Sequence, residues 1–389
     1  MNISAFKPLN LPYKDATSSF NFMAVNVMPE LEYLIATTIE DKEFFLVVRE
    51  TSEKKLLLKT DKITRPSATY YAHQGLINYA KASNLEIIDT NVNTTEKNMH
   101  LKQDAALKSI NDFAEAFPEA DDIRIEVGFG SGRHLLHQAQ NNPDILFIGL
   151  EIHKPSIEQV LKQINILHLD NILLLDYDAR LFMELIPSNL VSKVYVHFPV
   201  PWDKRPHRRV ISETFITEAI RVLQVGGRLE LRTDSENYYA YSYETFIGLN
   251  KTRLEINKNQ EIAITSKYED RWRKMEKNIY DITLINDETS PELDLSQSFE
   301  FQNSNFDLEK LKALHNRTEK FENGFVHFER MYTIGDDKMM FRISMGSFDR
   351  PEHLYLILSE TCAEYFPVLP IKTATNFKAH NYLSELLNG

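Results

Sequence analysis

The sequence is poor in cysteine and contains no long apolar run. Cys362 is the single cysteine among 389 residues, which excludes an internal disulfide or a thiolate metal site, and we expect it to be a small buried side chain. No apolar stretch approaches the roughly 20 residues of a membrane-spanning helix. The start lacks the segments of a secretory signal, and metal motifs such as HExxH are absent. We expect a cytoplasmic protein with no membrane span and no metal.

A dense basic cluster contrasts with the acidic total. The formal net charge of -12 argues against a polyanionic partner. Residues 193–209, which include "HFPVPWDKRPHRR", nevertheless contain five basic residues and one acid. Salt screens charge beyond about 8 Å, so a bound phosphate responds to this local patch. Four side chains are expected to supply countercharge to it: Lys204, Arg205, Arg208 and Arg209.

Composition divides the chain into three regions, 1–105, 106–285 and 286–389. The first contains strand-like "YLIATTI" and "EFFLVVR" and is predicted to be a β-rich extension. The third mixes strand-like "KMMFRISMG" and "LYLILS" with helical "KAHNYLSELL", which predicts an α+β extension. Polar stretches without periodicity separate the regions.

The middle region alternates strand and helix patterns. "IRIEV", "ILFIGLEI", "NILLLDYD", "KVYVHF" and "GGRLELRT" read as strands, with helical segments between them. This alternation predicts an α/β fold with a doubly wound, mostly parallel sheet. Ligands of such sheets bind outside the carboxyl ends of the strands.

A glycine loop, "EVGFGSGRH", follows the first of these strands. Gly128, Gly130 and Gly132 allow a tight turn and a close approach of backbone to ligand. The dinucleotide pattern GxGxxG is not met, because its third glycine falls on Arg133. Glu126, just before the loop, suits a ligand with an ammonium group better than a pyrophosphate, which favours S-adenosylmethionine.

Two more acidic positions follow the next two strands. Glu151 ends the second strand, where a carboxylate accepts hydrogen bonds from both ribose hydroxyls of an adenosine cofactor. Asp178 follows the third strand and is placed to accept from the adenine amino group. Asp176 competes for that role.

These segments, together with "FPVPWDKRPHRR", "RTDSENY" and "SKYEDR", resemble the bacterial tRNA (guanine-N7-)-methyltransferases. The resemblance covers the central 106–285 and implies a class I, Rossmann-like methyltransferase that uses S-adenosylmethionine and acts on a variable-loop guanine of tRNA. It implies that Glu126, Glu151 and Asp178 hold the cofactor. On the same basis, the tRNA substrate is expected at Lys204, Asp234, Ser266, Lys267, Tyr268 and Glu269.

The chain departs from the family pattern at Val200, where FPDPW usually has an aspartate. An apolar side chain cannot accept that aspartate's hydrogen bonds, so either Asp203 or Asp234 replaces it or the role is dispensable. Trp202 either stacks on a base or packs the proline turn. Tyr268 and Trp272, among basic residues, suit a splayed-out base, or face the core of an amphipathic helix.

Methyl transfer to guanine N7 requires little acid–base chemistry. N7 is a lone-pair acceptor, so no general base is needed, and His197 is interpreted as a satisfied core histidine. Asp234 is the candidate catalytic residue, because a carboxylate stabilises the cationic product. The alternatives are a dinucleotide-dependent oxidoreductase and a non-catalytic RNA-binding protein with a degenerate methyltransferase fold. The sequence does not indicate an oligomeric state.

Overall fold

A computed structural model describes residues 1–66, 68–92, 105–262, 275, 277–302, 305–348 and 350–388. The chain forms two compact units, a terminal unit of Met1–Gln103 with Ser296–Gly389 and a central unit of Asp104–Leu295. None of the helices in the described ranges has the length and apolar character of a membrane span. The predicted boundaries at 105 and 285 stay predictions; most of both flanking regions falls in the terminal unit, whereas residues 286–295 belong to the central unit.

In its described residues, the terminal unit contains strands from both ends of the chain and three α-helices. The helices are α1 (Thr69–Ala82), α8 (Leu308–Leu311) and α9 (Ala374–Asn388). The strands are β1 (Asn2–Ile3), β2 (Tyr13–Lys14), β3 (Ser18–Asn26), β4 (Glu32–Ile39), β5 (Lys42–Glu50), β6 (Leu56–Thr60), β7 (Ile87–Asp89), β16 (Thr318–Phe321), β17 (Gly324–Ile334), β18 (Lys338–Ser347), β19 (Pro351–Ser359) and β20 (Ala363–Phe366).

One sheet joins the two ends of the chain. Its described strands run in the order β20-β19-β18-β17-β3-β4-β5-β6-β1-β7, with β16 on β17 and β2 on β3. The junction is the antiparallel pair of β3 and β17, in which Tyr332 lies opposite Asn26. The Tyr332 hydroxyl donates to the Glu32 carboxylate at 2.7 Å. The extensions on either side of the central region therefore share one hydrogen-bonded sheet.

The first region is rich in strands, as predicted, and its helix α1 packs Leu76 and Tyr79 into the same core as Phe20 and Phe44. One local feature differs from the sequence expectations. Cys362 is exposed, so the expectation of a buried cysteine was wrong. It lies in the turn between β19 and β20, where its N–H donates to Ser359 Oγ at 3.1 Å.

The central unit is built on one mixed sheet. Its strands are β8 (Leu107–Lys108), β9 (Ile123–Val127), β10 (Leu146–Leu150), β11 (Ile172–Leu175), β12 (Val191–His197), β13 (Leu223–Thr233), β14 (Leu254–Lys258) and β15 (Tyr280–Ile285). The helices among its described residues are α2 (Ile110–Glu115), α3 (Arg133–Asn141), α4 (Lys154–Leu167), α5 (Ala179–Leu185), α6 (Glu213–Val222) and α7 (Glu236–Ile247), with a 3-10 turn at Pro206–Arg208.

The strand order in the described part of this sheet is β14-β15-β13-β12-β9-β10-β11-β8. The strands β8 to β13 pair in parallel, and most of the apolar residues of β9 to β13 are buried, as expected of strands covered on both faces. The predicted α/β fold with a mostly parallel sheet is thus confirmed. The strands β14 and β15 add an antiparallel edge that the sequence analysis did not predict.

Candidate active site

The sequence-predicted positions that the structure describes lie at the ends of strands, or in the loops that follow them, at one edge of the central sheet. The strand β9 lies between β10 and β12, and all three run parallel, so the loops that follow them begin at the same edge. The strands β11 and β13 continue the parallel set on either side. This is the crevice in which open α/β sheets bind their ligands.

The glycine loop after β9 borders open space. Gly128 and Gly130 have φ angles of +72° and +53°, and a Cβ added to either would meet no atom within 4 Å. Gly128 N–H is anchored to the carbonyl of Leu150 at 2.8 Å, which ties the loop to the end of β10. The backbone at Gly128 and Gly130 is therefore accessible to a ligand, and we call these two positions the cradle.

At Gly132, both the backbone conformation and the packing of α3 against α4 require a glycine. Its φ is +68°, and an added Cβ would lie 2.3 Å from Val160 Cγ2 on α4. This position starts α3, so the close approach of α3 to α4 depends on the missing side chain. The sequence analysis grouped all three glycines with the cofactor and did not separate this packing role.

We expect Gly132→Ala to destabilise the protein by about 2 to 4 kcal/mol, from the left-handed backbone and the overlap with Val160. Urea denaturation measures the free energy of unfolding. Adding Val160→Ala to the same chain should recover part of the loss, because it removes the overlapping methyl groups. Gly130→Ala is the matched comparison, since it has the backbone strain without the overlap. Equal losses for Gly130→Ala and Gly132→Ala would contradict the packing role.

Glu126 lies beneath the loop and is almost fully buried, with 3% of the residue exposed. Its Oε2 lies 2.8 Å from His134 Nδ1 on the first turn of α3. The partner was missed in the sequence analysis, because His134 carries no motif signal and is brought to Glu126 only by the turn of the glycine loop. A buried carboxylate is thus held in a fixed orientation next to the cradle.

Glu151 braces the glycine loop from the end of β10. Its Oε2 accepts from Gly130 N–H at 2.9 Å, and its Oε1 accepts from the N–H groups of Ile152 and His153 at 2.9 and 3.0 Å. A carboxylate has about four lone-pair positions, so it has capacity for further donors such as hydroxyls. The ribose role predicted for Glu151 stays a prediction, and the structure adds a loop-bracing role to it.

Both acids after β11 are paired with basic side chains. Asp178 caps α5 by accepting from Arg180 N–H at 3.0 Å, and it also accepts from the guanidinium of Arg180 at 2.9 and 2.5 Å. Asp176 lies 3.1 Å from Lys154 Nζ. The adenine role predicted for Asp178 is untested, and the arrangement gives this residue a capping function as well.

The segment after β12 exposes three of its four predicted cations. Lys204, Arg205 and Arg208 are exposed, and the Arg208 guanidinium lies 5.2 Å above the ring of Trp202. Arg209 is instead buried, so it does not belong with the countercharge expected from sequence. Its Nε donates to a backbone carbonyl at 2.7 Å.

Val200 and Asp234 occupy neighbouring loops at this edge. Val200 is 60% exposed, so no core packing explains its apolar side chain. Asp234 follows β13 and accepts from Lys277 Nζ at 2.8 Å, with its side chain 19% exposed. The sequence analysis missed this lysine partner. The predicted substrate residues 266–269 and Trp272 lie outside the described residues.

His197 is a satisfied, nearly buried histidine, as predicted. Its Nε2 lies 2.8 Å from Glu230 Oε1, and its side chain is 9% exposed. Lys193 Nζ lies 2.7 Å from the other carboxylate oxygen of Glu230. Although burial opposes its charge, the contacts with His197 and Lys193 hold the pKa of Glu230 well below its usual range.

Comparison with known proteins places the chain among methyltransferases. Residues 120–282 match a family described as a putative methyltransferase. A protein of Wolinella succinogenes named tRNA (guanine-N(7)-)-methyltransferase is 41% identical over 387 residues, covering 99% of this chain and 98% of its own. Proteins with the same name from Campylobacter jejuni and Helicobacter hepaticus are 37% and 36% identical and cover 98% and 97% of this chain and 96% of their own.

Proposed function

Because this chain belongs to the tRNA (guanine-N(7)-)-methyltransferases, we propose that it transfers a methyl group from S-adenosylmethionine to N7 of a guanine in tRNA. The observation that carries the proposal is the similarity over nearly the full chain, extensions included. The open cradle at Gly128 and Gly130 supports a methyl-donor site at the carboxyl edge of the sheet. We further propose a variable-loop guanine as target and the cytoplasm as location.

The residues around the cradle suit the parts of S-adenosylmethionine. Glu126 offers a buried carboxylate to its ammonium group, and Glu151 offers one to its ribose. Asp178 is the proposed partner of its adenine amino group. When bound, this donor would supply a methyl group on a sulfonium: the attacking nitrogen would bond to the methyl carbon while the carbon–sulfur bond breaks, and the sulfur would leave as the neutral thioether of S-adenosylhomocysteine. The Gly128, Gly130 and Gly132 backbone positions complete the proposed cofactor site.

The chain's main contribution to the reaction is to hold the reactants. Guanine N7 carries no proton at neutral pH, so no side chain need act as a base. Well-oriented reactants gain roughly 7 to 11 kcal/mol over free encounter. Asp234, near the proposed guanine position, stabilises the positive charge of the methylated purine or accepts from guanine N1–H and its amino group.

The exposed cations after β12 are proposed to contact tRNA phosphates. We expect Lys204→Gln and Arg208→Gln each to reduce the slope of log binding constant against log salt by about 0.7 to 0.9, the value for one lost phosphate contact. Filter binding of tRNA at several salt concentrations measures the slope. Lys162→Gln, which removes an exposed charge from the outer part of α4, is the control. An unchanged slope in both test variants would place the phosphate contacts elsewhere.

Methyl incorporation into defined tRNA tests the proposed reaction. With tritiated S-adenosylmethionine and unmodified tRNA, we expect label to enter wild-type tRNA. Label should be absent when the variable-loop guanine is replaced by adenine or by 7-deazaguanine, which lacks the accepting nitrogen. Equal label in the 7-deazaguanine tRNA would exclude N7 as the target, and absence of label in every tRNA would favour the non-catalytic alternative. Calorimetry with S-adenosylmethionine and NAD tests the oxidoreductase alternative.

A further inference from the structure

Two imidazole–carboxylate pairs lie back to back beneath the glycine loop. In one, His134 Nδ1 is 2.8 Å from Glu126, and in the other, His197 Nε2 is 2.8 Å from Glu230. The two imidazole rings are in contact, with centroids 4.7 Å apart and their planes tilted by 59°. Of these two pairs, the first contains a residue of the proposed donor site, since Glu126 lies two residues before Gly128.

His134 is enclosed by groups from several elements. From β12, the Tyr195 ring lies 4.8 Å from the His134 ring in an edge contact, and Lys193 Nζ lies 4.6 Å from the Tyr195 ring centroid. From its own helix, Gln138 Nε2 is 3.3 Å from His134 Nε2. Other charged or titratable groups on the elements packed around it are Arg124 on β9, Arg133 and His137 on α3, Lys154, Glu158 and Lys162 on α4, and Glu230 on β13.

We propose that His134 is a positioning residue for the methyl donor: its imidazole fixes the Glu126 carboxylate, and its proton sets the charge that this pair presents to the donor's ammonium group. The inference rests on the proposed function, because it requires the donor to bind with its amino end at Glu126. It assigns a role in donor affinity to a histidine that takes no part in the methyl transfer itself.

The direction of the effect follows from charge. Burial opposes the charged form of His134, but the charge and hydrogen bond of Glu126, with the charge of Glu230, outweigh it and raise the pKa of His134 above its ordinary value of 6.5. Below that pKa the Glu126–His134 pair is neutral, and above it the pair carries one negative charge. A cationic amino group binds the negative pair better, so donor affinity rises as His134 loses its proton. By linkage, donor binding releases that proton.

Calorimetry with two ligands isolates this effect. S-adenosylhomocysteine has the ammonium group, whereas 5′-methylthioadenosine has the same nucleoside and no amino-acid part. For wild type, we expect the Kd of S-adenosylhomocysteine to fall about tenfold between about pH 6 and about pH 8.5, corresponding to a shift of about one pKa unit on binding. Measurements in two buffers of different ionisation enthalpy should show release of up to about half a proton, the maximum for a shift of one pKa unit.

Variants distinguish the contribution of His134 to the pH dependence of Kd from that of the ligand's own amino group. His134→Gln keeps a hydrogen-bond donor for Glu126 but has no proton to lose, so it should bind S-adenosylhomocysteine as wild type does at high pH and lack the His134-dependent part of the pH profile. His168→Asn, at an exposed position with φ of +52° that asparagine tolerates, is the matched control and should behave as wild type. The Kd of 5′-methylthioadenosine should not depend on His134.

The outcomes distinguish this inference from the proposed function. Identical pH profiles for wild type and His134→Gln, or the same His134-dependent slope with 5′-methylthioadenosine, would overturn the role of His134 while leaving tRNA methylation intact. A His134-dependent slope in a protein that never labels tRNA would support the donor role and overturn the proposed reaction. If His134→Gln fails to fold, proton release by wild type, present with S-adenosylhomocysteine and absent with 5′-methylthioadenosine, decides the matter.

Discussion

Replacing Glu151 with glutamine is expected to weaken S-adenosylmethionine binding by about 100-fold, because the amide cannot accept at both ends and leaves backbone donors unpaired. In the structure this carboxylate holds Gly130 N–H at 2.9 Å and two N–H groups that follow it at 2.9 and 3.0 Å. The substitution therefore disturbs the cradle itself as well as the proposed ribose contact. Calorimetry gives the donor Kd, and filter binding gives the tRNA Kd.

Glu151→Gln should weaken the binding of the methyl donor only. The tRNA affinity of Glu151→Gln should stay within about twofold of wild type. The proposed phosphate contacts lie in the segment after β12, whereas Glu151 directly follows β10. Asp170→Asn, an exposed carboxylate-to-amide change beyond α4, is the control for the loss of one charge. A parallel loss of donor and tRNA affinity would indicate that Glu151 stabilises the whole unit instead.

Asp234→Asn is expected to lower kcat by about 10² to 10³, the usual effect of removing one positioned electrostatic group. The variant keeps the shape of the side chain and should keep donor affinity, because Asp234 follows β13 and the proposed donor site follows β9 and β10. Single-turnover methyl transfer to tRNA measures the rate of the chemical step.

The comparison with Asp203→Asn decides which acid replaces the family aspartate. Asp203 is 55% exposed at its side chain and makes one long contact, 3.4 Å, to Arg209. Asp234 is 19% exposed and is held by Lys277. We expect Asp203→Asn to change kcat by less than about threefold, since an exposed ion pair contributes little. A larger loss in Asp203→Asn than in Asp234→Asn would reverse the assignment.

The parallel sheet and its glycine loop could be predicted because their signals are local. Apolar strands followed by helical patterns predict the alternation, and "GFGSG" marks the turn from strand to helix. The helix α7 was missed because its sequence, "ENYYAYSYETFI", gives little contrast between its faces. The edge strands β14 and β15 were missed because they depart from the strand–helix alternation.

The partners of the site residues could not be predicted, since they depend on tertiary structure. His134 is eight residues from Glu126, and no pattern distinguishes it from the neighbouring His137. The basic run after β12 appeared uniform in sequence, yet Arg209 turns inward and its guanidinium lies 4.5 Å from the ring centroid of Tyr241. Arg209 is buried because of the conformation of the chain around the turn at Pro206–Arg208, which the sequence pattern does not indicate.

The pairing of β3 with β17 cannot form until most of the chain has been synthesised. Tyr332, opposite Asn26, is made about 300 residues later, which at about 5 to 20 residues per second is roughly 15 to 60 s. During that interval β3 has an unsatisfied edge, the kind of surface that aggregates, while the central unit can already fold on the ribosome. Truncation after residue 285 would make that temporary exposure permanent. The central methyltransferase unit is therefore an insertion within the terminal unit, and the sheet of the terminal unit can be completed only after both of its chain segments have been synthesised.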